Sequence, residues 1–390
     1  MKETGGIWMS KKGQFQLDTV SEFLQGRLSR SEAAQLLDTT ERTITRIARR
    51  IESRGVMGVV HGNQGKDPWN KKTAELKASV IRLMQERYFD FNLCHALDQL
   101  KKEHGLLIEY DSLRRWCHEI GLVKRAKRRK PKARYKRVRM PCEGLLLQLD
   151  GTPYRFNGKD EWCLIAAIDD ATSDIPYAEF FLSEDTLSCM TVLQKIIELR
   201  GIPYAIYVDK AGCLGGTGKR AHFNQFARAC DELGIRIIKA SSPEAKGRIE
   251  RTWDTIQDRL PPELRLRNIK SMPAANHYLQ TQFLPNYWRQ DLRQPAKSPE
   301  IKYQPLPANL DLREVLCLKE YRSVARDHTI SWQGKTYGLD SPVKYAIWGQ
   351  KVEFRTYQDM SWKAFFAGRP IALREDSIPR HTKLVPQLVA

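Results

Sequence analysis

Three carboxylates stand out by where they fall. Asp150 follows the apolar run Leu145-Leu146-Leu147-Gln148-Leu149, and Asp209 follows Ala205-Ile206-Tyr207-Val208. Short continuous apolar runs bounded by turn residues have the character of strands buried on both faces, so Asp150 is expected at the carboxyl end of its strand, ahead of the turn-forming Gly151-Thr152-Pro153. Glu250 lies in a helical segment that begins at Ser242-Pro243, an N-cap followed by proline in the first helical position. Three acids delivered in this way to one pocket suit nuclease chemistry on a phosphodiester.

The elements that must position them follow in order. Strands are expected at Trp162 to Ile168 and Tyr177 to Leu182, then a helix from about Glu184 to Leu199 closed by Gly201 and Pro203. With the two acid-bearing runs this gives β-β-β-α-β. A glycine-rich loop (Gly212, Gly215, Gly216, Gly218) follows Asp209. After it come a helix through Phe223, Phe226, Ala227 and Cys230 that stops at Gly234, and a short strand from Ile235 to Ala240. The helix carrying Glu250 is expected to run to Leu260 and end before Pro261-Pro262.

Residues 144 to 262 resemble the catalytic core of the DDE transposases and retroviral integrases, on the strength of Gln148-Leu149-Asp150-Gly151-Thr152, Ala167-Ile168-Asp169-Asp170-Ala171-Thr172, Tyr207-Val208-Asp209 and Gly247-Arg248-Ile249-Glu250-Arg251. Over most of the chain the resemblance is to bacterial insertion-sequence transposases. It implies an RNase H-like fold with Asp150, Asp209 and Glu250 as catalytic metal ligands, and the chemistry of those residues agrees. Three carboxylates can hold two Mg2+ or Mn2+ ions while leaving room for phosphate oxygens and water; Asp150 would bridge them, with Asp209 and Glu250 each completing one. Lys210 stands where the family usually has Asn after the second aspartate. Glu244 competes for the third position at a spacing nearer the family's habit, but it falls in a helical first turn, where the dipole favours an acid for structural reasons. Glu250 could also be a solvated helix acid paired with Lys246. Asp169 and Asp170 begin a turn with Thr172 and Ser173, which points to a structural role.

Composition asks for a polyanionic partner. Lys and Arg number 65 against 46 Asp and Glu, the formal net charge is +19, and the pI is near 9.6. From Lys124 to Arg139 the basic residues include Lys124, Arg125, Arg128, Arg129 and Lys130, with no acid among them. With almost nothing to bury, this run fits an extended arm along a phosphate backbone, its bland alternative being a solvated linker. Lys246, Arg248 and Arg251 beside Glu250 are expected DNA contacts as well.

Residues 1–62 and 71–123 each have a helix-turn-helix pattern. In the first, a helix from Ser31 to Leu37 and the turn Asp38-Thr39-Thr40 precede a helix from Glu41 to Ile51, with Ile44, Ile47 and Ile51 inward and Arg42, Arg46, Arg49 and Arg50 outward, as a major-groove recognition helix needs. In the second, Ser112 to Ile120 turns Arg114 and Arg115 out while Leu113, Trp116 and Ile120 pack. The expected architecture is multidomain: two all-α modules, a basic arm (124–140), an α/β core (141–270), a connecting strap (271–312) and a small carboxyl-terminal β-barrel (313–390). Eight scattered cysteines fit reduced packing residues, and Cys94-His95 with Cys117-His118 matches no familiar zinc spacing.

No apolar run approaches membrane-spanning length, no signal peptide begins the chain and no Gly-x-x-x-x-Gly-Lys-Ser/Thr occurs. The expectation is a cytoplasmic, nucleoid-associated bacterial protein with no membrane or nucleotide partner. It would bind double-stranded DNA, both element ends and target, and self-associate into a synaptic homo-oligomer. A catalytically dead regulator and a structure-selective nuclease are the alternatives.

Overall fold

The computed structural model describes residues 11–60, 71–124, 138–208, 223–239, 243–339 and 347–375. The chain divides into two compact units, Met1–Ser79 and Val80–Ala390.

The first unit holds α1 (Lys11–Leu24), α2 (Arg30–Leu36) and α3 (Glu41–Arg54), then a tight 3-10 turn at Gly55–Val59. A capping box starts α2: Ser29 Oγ accepts from the Glu32 amide while the Glu32 carboxylate accepts from the Ser29 amide. Thr40 caps α3 with its side chain alone, Oγ1 accepting from the Thr43 amide. The core comprises Val20, Ala33, Ala34, Ile44, Ile47, Ala48 and Val59. The paired helices read from the sequence are therefore α2 and α3, and α1 is an addition that covers their apolar faces.

Helix α4 (Ala74–Glu86) crosses the boundary between the units, and α5 (Leu93–His104) and α6 (Tyr110–Glu119) follow. The core of the second unit is a five-stranded sheet in the order β3-β2-β1-β4-β5, made of β1 (Leu147–Tyr154), β2 (Trp162–Asp169), β3 (Ala178–Phe181), β4 (Ala205–Val208) and β5 (Arg236–Lys239). β1, β2 and β3 are antiparallel neighbours, while β1, β4 and β5 run parallel. Helices α7 (Thr186–Arg200) and α8 (Phe223–Glu232) share one buried cluster with the sheet, and α9 (Pro243–Leu266) shares the other.

Two expectations are corrected here. β1 continues through Gly151-Thr152-Pro153, so Asp150 sits mid-strand, level with Ala166 of β2, rather than at a strand end. Pro153 is tolerated because β4 pairs only with Leu147 and Gln148, leaving that side of β1 without a ladder partner that needs an N–H. Secondly, α9 runs through Pro261 and Pro262 to Leu266. Fully buried Leu260 and Leu264, with Glu263 between them, tie the distal turns to the core more strongly than the lost backbone hydrogen bonds loosen them.

Beyond α9, α10 (Met272–Tyr278) runs into a wide π-type helix at Leu279–Leu292. The chain then returns extended, and Ile301 pairs with Glu143 and Gln304 with Ile202. After the short α11 (Leu312–Val315), β6 (Leu318–Ser323), β7 (Thr329–Trp332), β8 (Lys335–Leu339), β9 (Lys351–Thr356), β10 (Trp362–Phe366), β11 (Arg369–Ile371) and β12 (Leu373–Glu375) form two antiparallel sheets, ordered β11-β10-β9-β6 and β12-β8-β7. Trp332, Val352, Phe354 and Ala364 help fill their shared core. Among the described residues the strands close no barrel. The β7–β8 turn is Gln333-Gly334, both with positive φ (48° and 78°), as a two-residue hairpin loop of the right twist requires.

Candidate active site

β1 and α9 meet along a seam that contains Asp150. Ile249, Trp253, Ile256 and Leu260 of α9 join Phe156, Leu164 and Ile168 in one buried cluster, and this apolar stripe lays the helix along the sheet. At its flank the Trp253 indole N–H donates to Asp150 Oδ2 at 3.1 Å, and one turn on Gln257 Nε2 donates to Thr152 Oγ1 at 2.8 Å. Glu250 precedes Trp253 by three residues, on the same flank of the helix, and is exposed. Two of the three sequence-derived acids thus fall beside one tryptophan: Asp150 is bonded to it, and Glu250 lies on the turn before it.

Leu147 and Gln148 of β1 pair in parallel with Ile206 and Tyr207 of β4. Asp209, which follows Val208 in the sequence, lies outside the described residues, as do Lys210 and the glycine-rich loop. Among the described residues no three His, Cys, Asp or Glu side chains are grouped closely enough to hold a metal. The donor set that is described does suit a hard divalent cation, being carboxylate oxygen within reach of solvent with one oxygen already held by a fixed N–H.

Sequence reasoning missed Glu184. Its carboxylate lies over Gly151, where a Cβ would stand 2.6 Å from Oε2, so glycine is what lets this acid approach the backbone beside Asp150. The contact joins residues far apart in sequence, and a glycine after an aspartate looks like an ordinary turn.

Behind the seam is a hub of buried aspartates. Asp169 Oδ1 accepts from the Ala171 and Thr172 amides and from Thr172 Oγ1, while Oδ2 accepts from the Gly144 amide. Burial holds its carboxyl above the usual range against those lowering donors. Asp174 receives Arg200 and Arg289. Asp170 accepts from Gln148 Nε2 at 2.7 Å and from the Met140 amide at 2.8 Å, and it pairs with Arg248 of α9. The turn role expected for Asp169 and Asp170 agrees with these bonds. Arg248, expected on DNA, has its guanidinium on the Asp170 carboxylate instead, with only 12% of its side chain exposed.

The remaining basic candidates divide clearly. Arg251 is exposed, with Nε on the Gly247 carbonyl; the Lys246 side chain lies outside the described residues. Lys124 is exposed, and Arg125, Arg128, Arg129 and Lys130 lie outside. Arg114 and Arg115 are exposed on α6. In the first unit a concavity of 880 Å³ along α3 is lined by Arg30, Arg42, Thr43, Arg46, Arg49 and Arg50, among others. His95 and His118 are engaged with Glu263 and the Val123 carbonyl. Cys94 is exposed rather than packed, because the face of α5 that turns inward carries His95, Ala96, Gln99 and Leu100.

The chain is 32% identical over 371 residues to a putative transposase, y4bF, of Sinorhizobium fredii, covering 92% of this chain and 80% of the relative. It is 26% identical to the transposase for insertion sequence IS1202 of Streptococcus pneumoniae, covering 82% and 76%. No protein-family model matches. Among solved structures, the HTLV-2 integrase catalytic core domain in complex with magnesium is similar over 36% of this chain and 88% of that one, with 19% identity and a TM-score of 0.29. A chain of the simian T-cell lymphotropic virus intasome structure, in complex with PP2A regulatory subunit B56 gamma, is similar over 77% of this chain and 100% of that one, with 14% identity and a TM-score of 0.34.

Proposed function

This chain belongs to the insertion-sequence transposases, and from that premise we propose that it binds the terminal repeats of its own element and both cuts and joins DNA strands at one RNase H-like site. The observation that carries the chemistry is the seam of β1 and α9, where Trp253 bonds Asp150 one helical turn from Glu250. Asp150, Glu250 and Asp209 would hold two divalent ions, Mg2+ or Mn2+. Such ions, when bound, activate the attacking oxygen and neutralise the leaving one.

The chain's own residues do the rest. The indole N–H fixes one oxygen of Asp150 and so orients the carboxylate for ligation, as hydrogen bonds to ligand carboxylates commonly do. The buried stripe of α9 keeps water from the rear of the seam. Water attacks first, freeing a 3′-hydroxyl at the element end, and that hydroxyl then attacks a target phosphodiester, so bond energy is conserved and no nucleotide cofactor is required. Joining of oligonucleotides carrying the flanks of the coding sequence to a target plasmid tests the proposal; cleavage without joining would favour the structure-selective nuclease.

Trp253→Phe tests the seam itself. Phenylalanine keeps an aromatic ring in the apolar stripe but loses the N–H together with part of the indole, so divalent-ion affinity should fall by about 10- to 100-fold alongside a modest drop in melting temperature from the smaller ring. An unchanged calorimetric Mg2+ titration would show that the bond is idle.

End recognition is assigned to the arginine-lined concavity of α3, with Arg114 and Arg115 of α6 as a second reader and the run from Lys124 to Arg139 as a phosphate-following arm, on copies of the chain assembled in a synaptic complex. Exchange of Arg42 and Arg46 for alanine in the full chain should lower the preference for cognate over scrambled ends by roughly tenfold or more for each arginine that reads a base. Competition binding decides: equal losses on both duplexes would make these arginines phosphate contacts.

A further inference from the structure

We propose that the buried Arg248–Asp170 ion pair is a positioning device of the candidate active site, one that sets the rotation of α9 about its own axis and thereby the reach of Glu250 toward Asp150. The inference rests on the reading of Glu250 and Asp150 as catalytic ligands.

On a helix of about 3.6 residues per turn, positions two apart point roughly 200° away from each other. Arg248 and Glu250 therefore flank the apolar stripe of Ile249, Trp253, Ile256 and Leu260 on opposite sides. Apolar packing alone constrains rotation weakly, because such contacts have no direction. The polar bonds supply direction. On the flank of Glu250, Trp253 and Gln257 reach Asp150 and Thr152 of β1; on the other, Arg248 reaches Asp170 just past the end of β2. The helix is held from both edges.

Asp170 is built to be such an anchor. It is 0% exposed, its Oδ1 also accepts from Gln148 two residues before Asp150, and its Oδ2 accepts from the Met140 amide. A buried pair of this kind contributes little net stability relative to apolar packing, and its best-attested use is to specify register. The lever is large enough to matter. A carboxylate roughly 5–6 Å from the axis moves about 1.4 Å for a rotation of about 15°, and misplacements near 1 Å lower well-oriented reactions on the order of 10²-fold.

The test is Arg248→Lys in the full chain, which keeps the charge beside Asp170 but loses the planar fork. Nicking of a supercoiled plasmid carrying the flanks of the coding sequence would be followed against Mg2+ and Mn2+ concentration, with melting temperature and duplex affinity measured alongside. The expected result is a rate about 10- to 100-fold lower in Mg2+ and a raised half-saturating Mg2+ concentration, with duplex affinity within twofold of wild type. Mn2+ should recover much of the rate, since Mg2+ demands near-ideal octahedral geometry and Mn2+ is more tolerant. Should the lysine variant fail to fold, Arg248→Gln, which leaves the Asp170 carboxylate in place for Gln148 and the Met140 amide and removes only the guanidinium, should show the same signature. A rate within twofold of wild type in Mg2+ overturns the proposal. So does a loss of duplex affinity that accounts for the rate with metal dependence unmoved, which would make Arg248 a DNA contact, or an equal loss in both metals with a lowered melting temperature. Glu250→Gln run in parallel separates the two readings: if it still nicks, the assignment of the site fails rather than that of the anchor.

Discussion

Asp150→Asn, Asp209→Asn and Glu250→Gln will each remove cleavage and joining while leaving duplex binding close to wild type. Each exchange keeps the size of the side chain and takes away the anionic oxygen that a divalent ion requires, so the loss falls on transition-state stabilisation. About 4 kcal/mol or more is at stake, a fall of at least roughly 10³-fold in rate. Asp150 is the most exacting of the three, because its Oδ2 already accepts from Trp253 at 3.1 Å and the asparagine must turn its oxygen to that donor, presenting an amide N–H₂ where the ligand oxygen stood. Glu244→Gln is the matched control, altering an acid six residues earlier on the same helix. Mg2+-dependent cleavage near the wild-type rate in any of the three variants would reassign that residue, and loss in Glu244→Gln with retention in Glu250→Gln would move the third acid about 1.7 turns toward the start of α9.

How far this site is legible in the sequence depends on what kind of contact each residue makes. Asp150 and Glu250 are legible because local pattern announces them: an apolar run predicts the strand, and Ser242-Pro243 predicts the helix start. The turn drawn at Gly151-Thr152-Pro153 fails because local chemistry cannot see that β2 pairs with β1 along its whole length, out to Tyr154 opposite Trp162. The break drawn at Pro261-Pro262 fails for the same reason, since Leu260 and Leu264 are buried in a cluster drawn from strands and helices distant in the chain, before and after them. Glu184, the Arg248–Asp170 pair and the bond from Trp253 to Asp150 leave no periodic trace, although Trp253 itself belongs to the apolar stripe of α9. Each acts across the fold, and a lone tryptophan or arginine on a helix has the same pattern whether it meets a carboxylate or solvent. Helix α1 is faint in the sequence because its apolar residues do not all share one buried face: Val20 is buried while Phe15 and Leu24 are exposed.

Glu263→Ala should be the most destabilising exchange in the second unit. Glu263, 5% exposed, lies on the distal part of α9 and gathers four partners: His95 Nε2 at 2.6 Å and Gln99 Nε2 at 2.7 Å from α5, Tyr278 Oη at 3.1 Å from α10, and Arg267 one turn along. Beside it Arg265 pairs with Asp90 and Arg259 with Asp98, so α5 and the segment before it are docked on the helix that carries Glu250. Removing one member of a buried charged network strands the others, and about 3–5 kcal/mol is the usual consequence. The pH dependence has a definite sign. Burial raises the Glu263 pKa, but the hydrogen bond from His95, the charge of Arg267 and the further contacts outweigh it and hold the carboxyl below its ordinary value. A depressed folded pKa contributes stability that is fully present above the unfolded value of about 4.3 and is lost as pH falls through the folded one. Wild type should therefore lose stability on acidification below about pH 4.3, and Glu263→Gln, which cannot ionise, should lose less over the same interval while starting lower at neutral pH. Denaturant midpoints measured from pH 7 downward decide this. Parallel curves for wild type and Glu263→Gln would mean that the carboxylate is not what holds α5 to α9, and that the dock rests on the Arg259 and Arg265 pairs instead.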